Sequence, residues 1–242
     1  MSRNSPWVEI QPLSAASEAL EAARSRGFLG RIPREVVDAI SESATAIYYP
    51  RGSVSFPAHE GAQPAVVLTG LLRYFLSTSR GRQVTIRYIG IGDMAGTLTP
   101  HGSGLSTTYQ AVEPSLLLHF DRDRMAEVAR RRPDFAWELV EEVATRLRFA
   151  YGALAATAFT TVRARVARDL LERAVAGGRD QRGLVLPVTQ QALADATGSV
   201  REVVARAVRE LRRRGAIATQ SDGIKILDPD ALAAESVRGE GA

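Results

Sequence analysis

The sequence predicts an α+β protein with antiparallel strands in its first half, one long helix near its middle and a small helical unit at its C-terminal end. Three observations predict this. Between Ala44 and Phe120, short β-branched and aromatic runs alternate with clusters of glycine, proline and serine. From Pro133 onward, apolar residues recur at alternating steps of three and four. From Thr189 to Gly215, two helical stretches flank Thr197-Gly198-Ser199, and the second of them is rich in arginine.

At 242 residues, 45% hydrophobic and 24% charged, the chain has an ordinary globular composition and suits two domains. The formal net charge is +4 and Lys225 is the single lysine, so the basic character is carried by arginine. Cysteine is absent, which excludes disulfides, cysteine-ligated zinc or iron–sulfur clusters and a catalytic thiol. The opening MSRNSPWVEIQ lacks the apolar core of a signal peptide, and no apolar run approaches the roughly 20 residues that span a bilayer. A cytoplasmic protein with no membrane partner is expected.

In chain order, an alanine-rich helix is expected over 13–25 and a second over 33–42, with Pro33 in its first turn, where a missing N–H costs nothing. The runs AIYY, AVVLTGLLRYFL, QVTIRYIGI, TTYQAV and SLLLHF are strands of a closed or sandwiched antiparallel structure. Residues 73–76 and 83–91, joined by STSRGR, form a hairpin. Asp121 caps a helix that breaks at Pro133. The next segment places Val140, Val143, Leu147, Ala150 and Leu154 on an a/d seam. That seam fits a partner helix and an intrachain surface equally well. A helix over 161–176 ends at Gly177-Gly178, GGRDQRG is a linker or loop, and the polar tail after Asp228 is expected to fray.

Thr189 is suited to cap a short helix through Ala196, and Gly198 can take the positive φ that a tight turn demands. The second helix, about 200–214, then buries Val204, Val208 and Leu211 and leaves Arg201, Glu202, Ala205, Arg206 and Arg209 on its opposite face. AIATQSDGIKIL after Gly215 forms a two-stranded wing. Arginines on amphipathic helices are usually solvated, and Arg212, Arg213 and Arg214 suit a helix C-terminus. In a major groove, however, arginine pairs bidentately with guanine and glutamate accepts from cytosine. Helix, glycine turn, second helix and wing together favour the groove.

From Phe28 to Ile226 the order of elements, and GSVREVVARAVREL in particular, resembles the Crp/Fnr family of bacterial transcription regulators. The resemblance implies an N-terminal β-roll of cyclic-nucleotide-binding type over 1–132, a dimerisation helix over 133–159 and a winged helix-turn-helix DNA-binding domain over 160–242. Its implied partners are double-stranded DNA, a second copy joined through the 137–158 helix, and RNA polymerase. The positions of Arg201, Glu202 and Arg206 read a TGTGA-like half-site in relatives of the cyclic-AMP receptor type. Thr189 and Gln191 are similar to the family's phosphate contacts, and Gln190, Ser199 and Val200 complete the expected interface. Where the family often carries TSR or CSR this chain has SVR, so Val200 removes one hydroxyl near the DNA backbone.

The effector side departs from the family. Cyclic-AMP binders carry G-E-L-G followed by R-S-A, onto which GDMAGTL and LSTTYQAV align. Thr97, after Gly96, stands at the glutamate and Leu105 at the arginine, while Ser106 is retained beside Thr107. Ala150 and Tyr151 stand where the receptors place a threonine–serine pair against adenine. A buried phosphate without its arginine costs several kcal/mol, so cyclic AMP is not expected as the tight effector and no cofactor is implied. The loop His101-Gly-Ser-Gly suggests a reshaped pocket, and the hinge to the DNA-binding domain is expected at 157–161. Arg73, Arg87 and Tyr109 suit either an anion pocket or ordinary hydrogen-bonded roles. His59, His101 and His119 are scattered and include no H-x-H pair, which disfavours a cupin-like metalloenzyme. No catalytic triad, Walker loop or Rossmann pattern is present, so an enzyme is not expected. The alternative regulator responds to a cyclic nucleotide or another small molecule through an atypical pocket. A signalling module without DNA binding would not keep Arg201, Glu202 and Arg206.

Overall fold

A computed structural model describes residues 9–11, 13–55, 63–96, 106–178 and 181–239. The chain divides into two compact units, one of 1–74 with 89–147 and the other of 75–88 with 148–242. Strand β1 (Glu9–Gln11) precedes helices α1 (Leu13–Ala23) and α2 (Arg34–Ser41). Then follow β2 (Thr45–Tyr49), β3 (Val54–Ser55), β4 (Ala65–Thr69), β5 (Leu72–Ser77), β6 (Gln83–Ile89), β7 (Met94–Ala95), β8 (Ser106–Ala111) and β9 (Ser115–His119). Helices α3 (Arg122–Arg131) and α4 (Pro133–Phe159) come next.

The strands form two sheets, ordered β1-β2-β9-β4-β7 and β3-β8-β5-β6. Alternation along the central strands explains their unbroken apolar sequence, because successive side chains of a strand point to opposite faces. Val66 and Leu118 join a core with Met125 of α3, Phe135 of α4 and, from the connecting segments, Phe28 and Phe120. Their neighbours Val67 and Leu117 face a second core with Tyr49, Leu72 and Tyr109. The predicted single run AVVLTGLLRYFL is broken at Gly70, whose φ of +87° lets the chain leave one sheet for the other.

Asp121 caps α3, its carboxylate accepting from the Arg124 N–H at 2.8 Å. Helix α4 spans 27 residues, about 40 Å at 1.5 Å per residue. Trp137, Val140, Val143, Leu147, Ala150 and Leu154 are all exposed along it. Among the described residues no helix is long and apolar enough to cross a membrane.

In the second unit α5 (Val162–Ala176), capped by Thr161, leads to β10 (Val185–Leu186), α6 (Gln190–Thr197), α7 (Arg201–Arg213), β11 (Ile217–Gln220), β12 (Gly223–Ile226) and α8 (Pro229–Ser236). Its core joins Val166, Leu170, Leu193, Val204, Val208, Leu211, Ile217, Ile224 and Leu232. Two expectations are corrected here. The wing has three strands, since β10 pairs with β12 through Val185–Lys225 and Leu186–Ile224. The tail after Asp228 is not frayed: the Asp228 carboxylate accepts from the N–H groups of Asp230 and Ala231, Pro229 opens the helix, and Leu232 is fully buried.

Candidate DNA interface

The helix-turn-helix is fixed by backbone chemistry at three points. The Thr189 Oγ1 accepts from the Ala192 N–H at 3.1 Å and starts α6. Gly198 closes it at φ +65°, and the next N–H, of Ser199, donates to the Ala194 carbonyl at 3.0 Å. Val200 is the N-cap of α7 and supplies no side-chain hydrogen bond, so an orphan N–H of the first turn goes unserved by a side chain.

Helix α7 buries Val204, Ala207, Val208 and Leu211. That choice of face leaves Arg201, Glu202, Arg206 and Arg209 exposed, with Ala205 half-buried among them. None of these four charged side chains is ion-paired to another described residue, so their donors and acceptors face solvent. Glu202 lies in the first turn, where a negative charge is favoured by the helix dipole. On α6, Gln191 is exposed and donates to Asp195 at 2.9 Å, while Gln190 is half-buried.

The last three arginines divide. Arg213 and Arg214 meet Glu210 at 2.7 and 2.9 Å, and hydrogen bonding from Arg214 holds the Glu210 carboxyl below its usual range. Arg212 reaches Thr219 on the wing at 3.5 Å. Arg214 also pairs with Glu235 of α8, a buried carboxylate that meets Arg163 and Arg238 as well. Sequence reasoning missed Glu235 entirely. The Asp-Pro pair at 228–229 was the available signal for its helix. Arg165 was also missed; it donates to the Thr197 carbonyl at 3.1 Å and to the Thr160 carbonyl at 2.7 Å, joining the end of α6 to the turn before α5.

The effector candidates fall in separate units. Gly96 has φ +73°, a Cβ there would run into the Gln63 carbonyl, and its own carbonyl accepts from Arg146. Ser106 and Thr107 lie on β8, whereas Ala150 and Tyr151 are exposed on the part of α4 that belongs to the second unit. Thr97, Leu105, His59 and His101 lie outside the described residues. His119 is a satisfied core histidine: its Nε2 lies 3.1 Å from the Tyr49 hydroxyl, and burial lowers its pKa to about 4. Arg73, Arg87 and Tyr109 are buried, with Arg87 over the Phe149 ring and Tyr109 stacked on Tyr74 at 4.7 Å. Among the described residues no group of three or more histidine, aspartate or glutamate side chains is placed to hold a metal.

Residues 164–235 match the Crp-like helix-turn-helix domain. The chain is 28% identical over 216 residues to the CRP-like cAMP-activated global transcriptional regulator of Mycobacterium tuberculosis, covering 87% of this chain and 96% of that protein. It is 31% identical over 169 residues to the transcriptional regulator LdrP of Thermus thermophilus, covering 69% and 84%. Among solved structures, a regulator from Eubacterium rectale superposes with a TM-score of 0.70 at 20% identity, over 89% of this chain and all of that one. A CRP-family regulator from Thermus thermophilus superposes with a TM-score of 0.63 at 26% identity, over 79% and 96%.

Proposed function

We propose that this chain, which belongs to the Crp/Fnr family of DNA-binding transcription regulators, acts as a homodimer on a palindromic operator with TGTGA-like half-sites, without cyclic AMP as its tight effector. Its similar proteins are regulators and not enzymes, so the function is binding. The observation that carries the proposal is the free face of α7: Arg201, Glu202 and Arg206 are exposed, unpaired and held on a helix whose opposite face is locked in the core. In a major groove, Arg201 and Arg206 suit guanine O6 and N7, and Glu202 suits a cytosine amino group. Thr189, Gln190, Gln191, Ser199 and Val200 flank them and face the phosphates.

The dimer rests on the exposed apolar side chains of α4, from Trp137 through Leu154. Repeated at heptad steps, they suit a second copy of the same helix, which would set two recognition helices about 34 Å apart. Residues 1–132 then form the sensor region, 133–159 the coupling helix and 160–242 the DNA-binding part, with 157–161 as the hinge and RNA polymerase as the downstream partner in the cytoplasm. The Mycobacterium tuberculosis relative is named as cAMP-activated, but Thr97 and Leu105 stand here where the cassette needs its glutamate and arginine. A pocket of altered chemistry for another small molecule is the second reading.

The test is the affinity of the purified chain for a palindromic duplex with two such half-sites, against a scrambled duplex, with and without cyclic AMP at fixed salt. Tight specific binding that ignores the nucleotide supports the proposal. Binding that appears only with cyclic AMP overturns its effector clause, and Arg201→Ala should weaken specific binding by about 1 to 3 kcal/mol and relax discrimination at one guanine.

A further inference from the structure

The β5–β6 hairpin extends from the sheets, yet its outer part, 75–88, groups with the helix-turn-helix unit. Three fastenings hold it there. The Tyr88 hydroxyl donates to the Asp169 Oδ1 at 2.6 Å, in a buried site where Asp169 also pairs with Arg173 at 2.7 Å. Arg173 in turn lies over the Tyr88 ring, 4.7 Å from its centre. Val84 packs on the turn itself, so that a Cβ at Gly198 would lie 2.9 Å from it. The Arg82 Nη2 donates to the Gly198 carbonyl at 3.1 Å.

The tip is a closed turn. The Thr78 N–H donates to the Arg82 carbonyl at 2.9 Å, and the Gly81 N–H to the Thr78 carbonyl at 2.9 Å. It carries Arg80 and Arg82, both exposed, and no aspartate or glutamate occurs anywhere in 75–88. Neither arginine is ion-paired to a described residue, and Arg82 spends one of five guanidinium donors on Gly198. Arg82 therefore sits at Gly198, in the turn that leads into α7 and three residues before Arg201, and Arg80 stands two positions away on the same hairpin tip.

From this placement we infer that the hairpin tip, through Arg80 and Arg82, forms an additional contact to a DNA backbone phosphate beside each half-site. The inference rests on the DNA-binding reading above. Such a contact adds affinity and salt dependence without sequence information. It also makes a segment of the N-terminal sheet part of the DNA interface.

The experiment measures binding of the full chain to the operator duplex and to a random duplex of equal length, by fluorescence anisotropy between 50 and 200 mM salt. Arg80→Ala should lower the slope of log affinity against log salt by about one per protomer, about two for a dimer. The affinity lost across that salt range then shrinks by roughly tenfold. Arg80→Lys should restore the slope, and the ratio of operator to random binding should stay unchanged in both variants. Arg80→Ala combined with Arg82→Ala should deepen the effect.

A wild-type slope in the double variant overturns the inference, whatever those residues do in a transcription assay. A collapsed operator-to-random ratio with an unchanged slope overturns it too, because the hairpin would then act by positioning the turn. Wild-type protein that binds both duplexes equally refutes the half-site reading alone, since the Arg80 slope is still measured on random DNA. Wild-type protein that binds neither overturns both.

Discussion

Asp169→Ala is the substitution whose consequence follows most directly from the geometry. Asp169 and Arg173 are both nearly inaccessible, the carboxylate accepting from Arg173 through one oxygen and from Tyr88 through the other. Burial alone would lower the Arg173 pKa, but the Asp169 charge and Tyr88 outweigh it and raise the pKa, so the guanidinium is charged in the folded unit. Removing the carboxylate leaves that charge unpaired, at about 3 to 5 kcal/mol. It also strands the Tyr88 hydroxyl, at about 1 to 3 kcal/mol, part of which the structure recovers by relaxing. A net loss of about 4 kcal/mol is expected. Against a domain stability of about 5 to 15 kcal/mol, the variant still folds but with little margin.

Urea denaturation followed by circular dichroism at 222 nm is the suitable assay. Both tryptophans, Trp7 and Trp137, lie outside 148–242, and their fluorescence would miss the unit concerned. With a slope of about 2 kcal/mol per molar urea, the midpoint of that unit's transition should fall by about 2 M. The double variant Asp169→Leu, Arg173→Leu should lose less than Asp169→Ala, because no charge is left buried. A loss below about 1 kcal/mol in the single variant, or a double variant costing more than it, would refute the account of the site.

Other expectations concern separate parts of the chain. Val200→Thr supplies the missing cap of α7 and should stabilise the second unit by about 0.5 to 2 kcal/mol, read as a higher melting temperature. Gly198→Ala meets both a φ of +65° and the Val84 side chain, and should cost about 1 to 2 kcal/mol or more in the same melt. His119 has a folded pKa of about 4 against about 6.5 unfolded, so below pH 6.5 the unfolded chain takes up the proton first. Stability is therefore full above pH 6.5 and falls by about 3 kcal/mol as pH drops to about 4, a slope that His119→Gln should flatten. Leu147→Arg on the exposed α4 seam should turn a dimer into a monomer in sedimentation; an unchanged mass would move the dimer interface elsewhere.

Features with a local cause were legible in the sequence. Thr189, Gly198 and Asp121 act through residues at most four positions away, and the buried face of α7 follows from its period. Apart from α8, whose Asp228-Pro229 start is local, what escaped depends on distant partners. Strands as short as β3 and β7 have only two residues each, too few to show alternation, and exist because β8 and β4 lie beside them. The third wing strand likewise depends on β12. Asp169 and Arg173 stand at a helical i,i+4 spacing and could be paired on paper, but Tyr88 lies 81 positions away and nothing local announces it. The exposed charged face of α7 was legible because exposure on a helix is a matter of period. Of the effector candidates, Thr97 and Leu105 fall outside the described residues.

The C-terminal helix bears on how such regulators can be recombined. Glu235 binds Arg163 at the head of α5 and Arg214 at the foot of α7, so the recognition helix is closed against its support by a group that follows the wing. A chimera spliced after Ile226, where the wing ends, would inherit the exposed face of α7 and lose the carboxylate that ties the end of that helix to α5. Modular exchange in this chain therefore has its natural cut beyond Ser236.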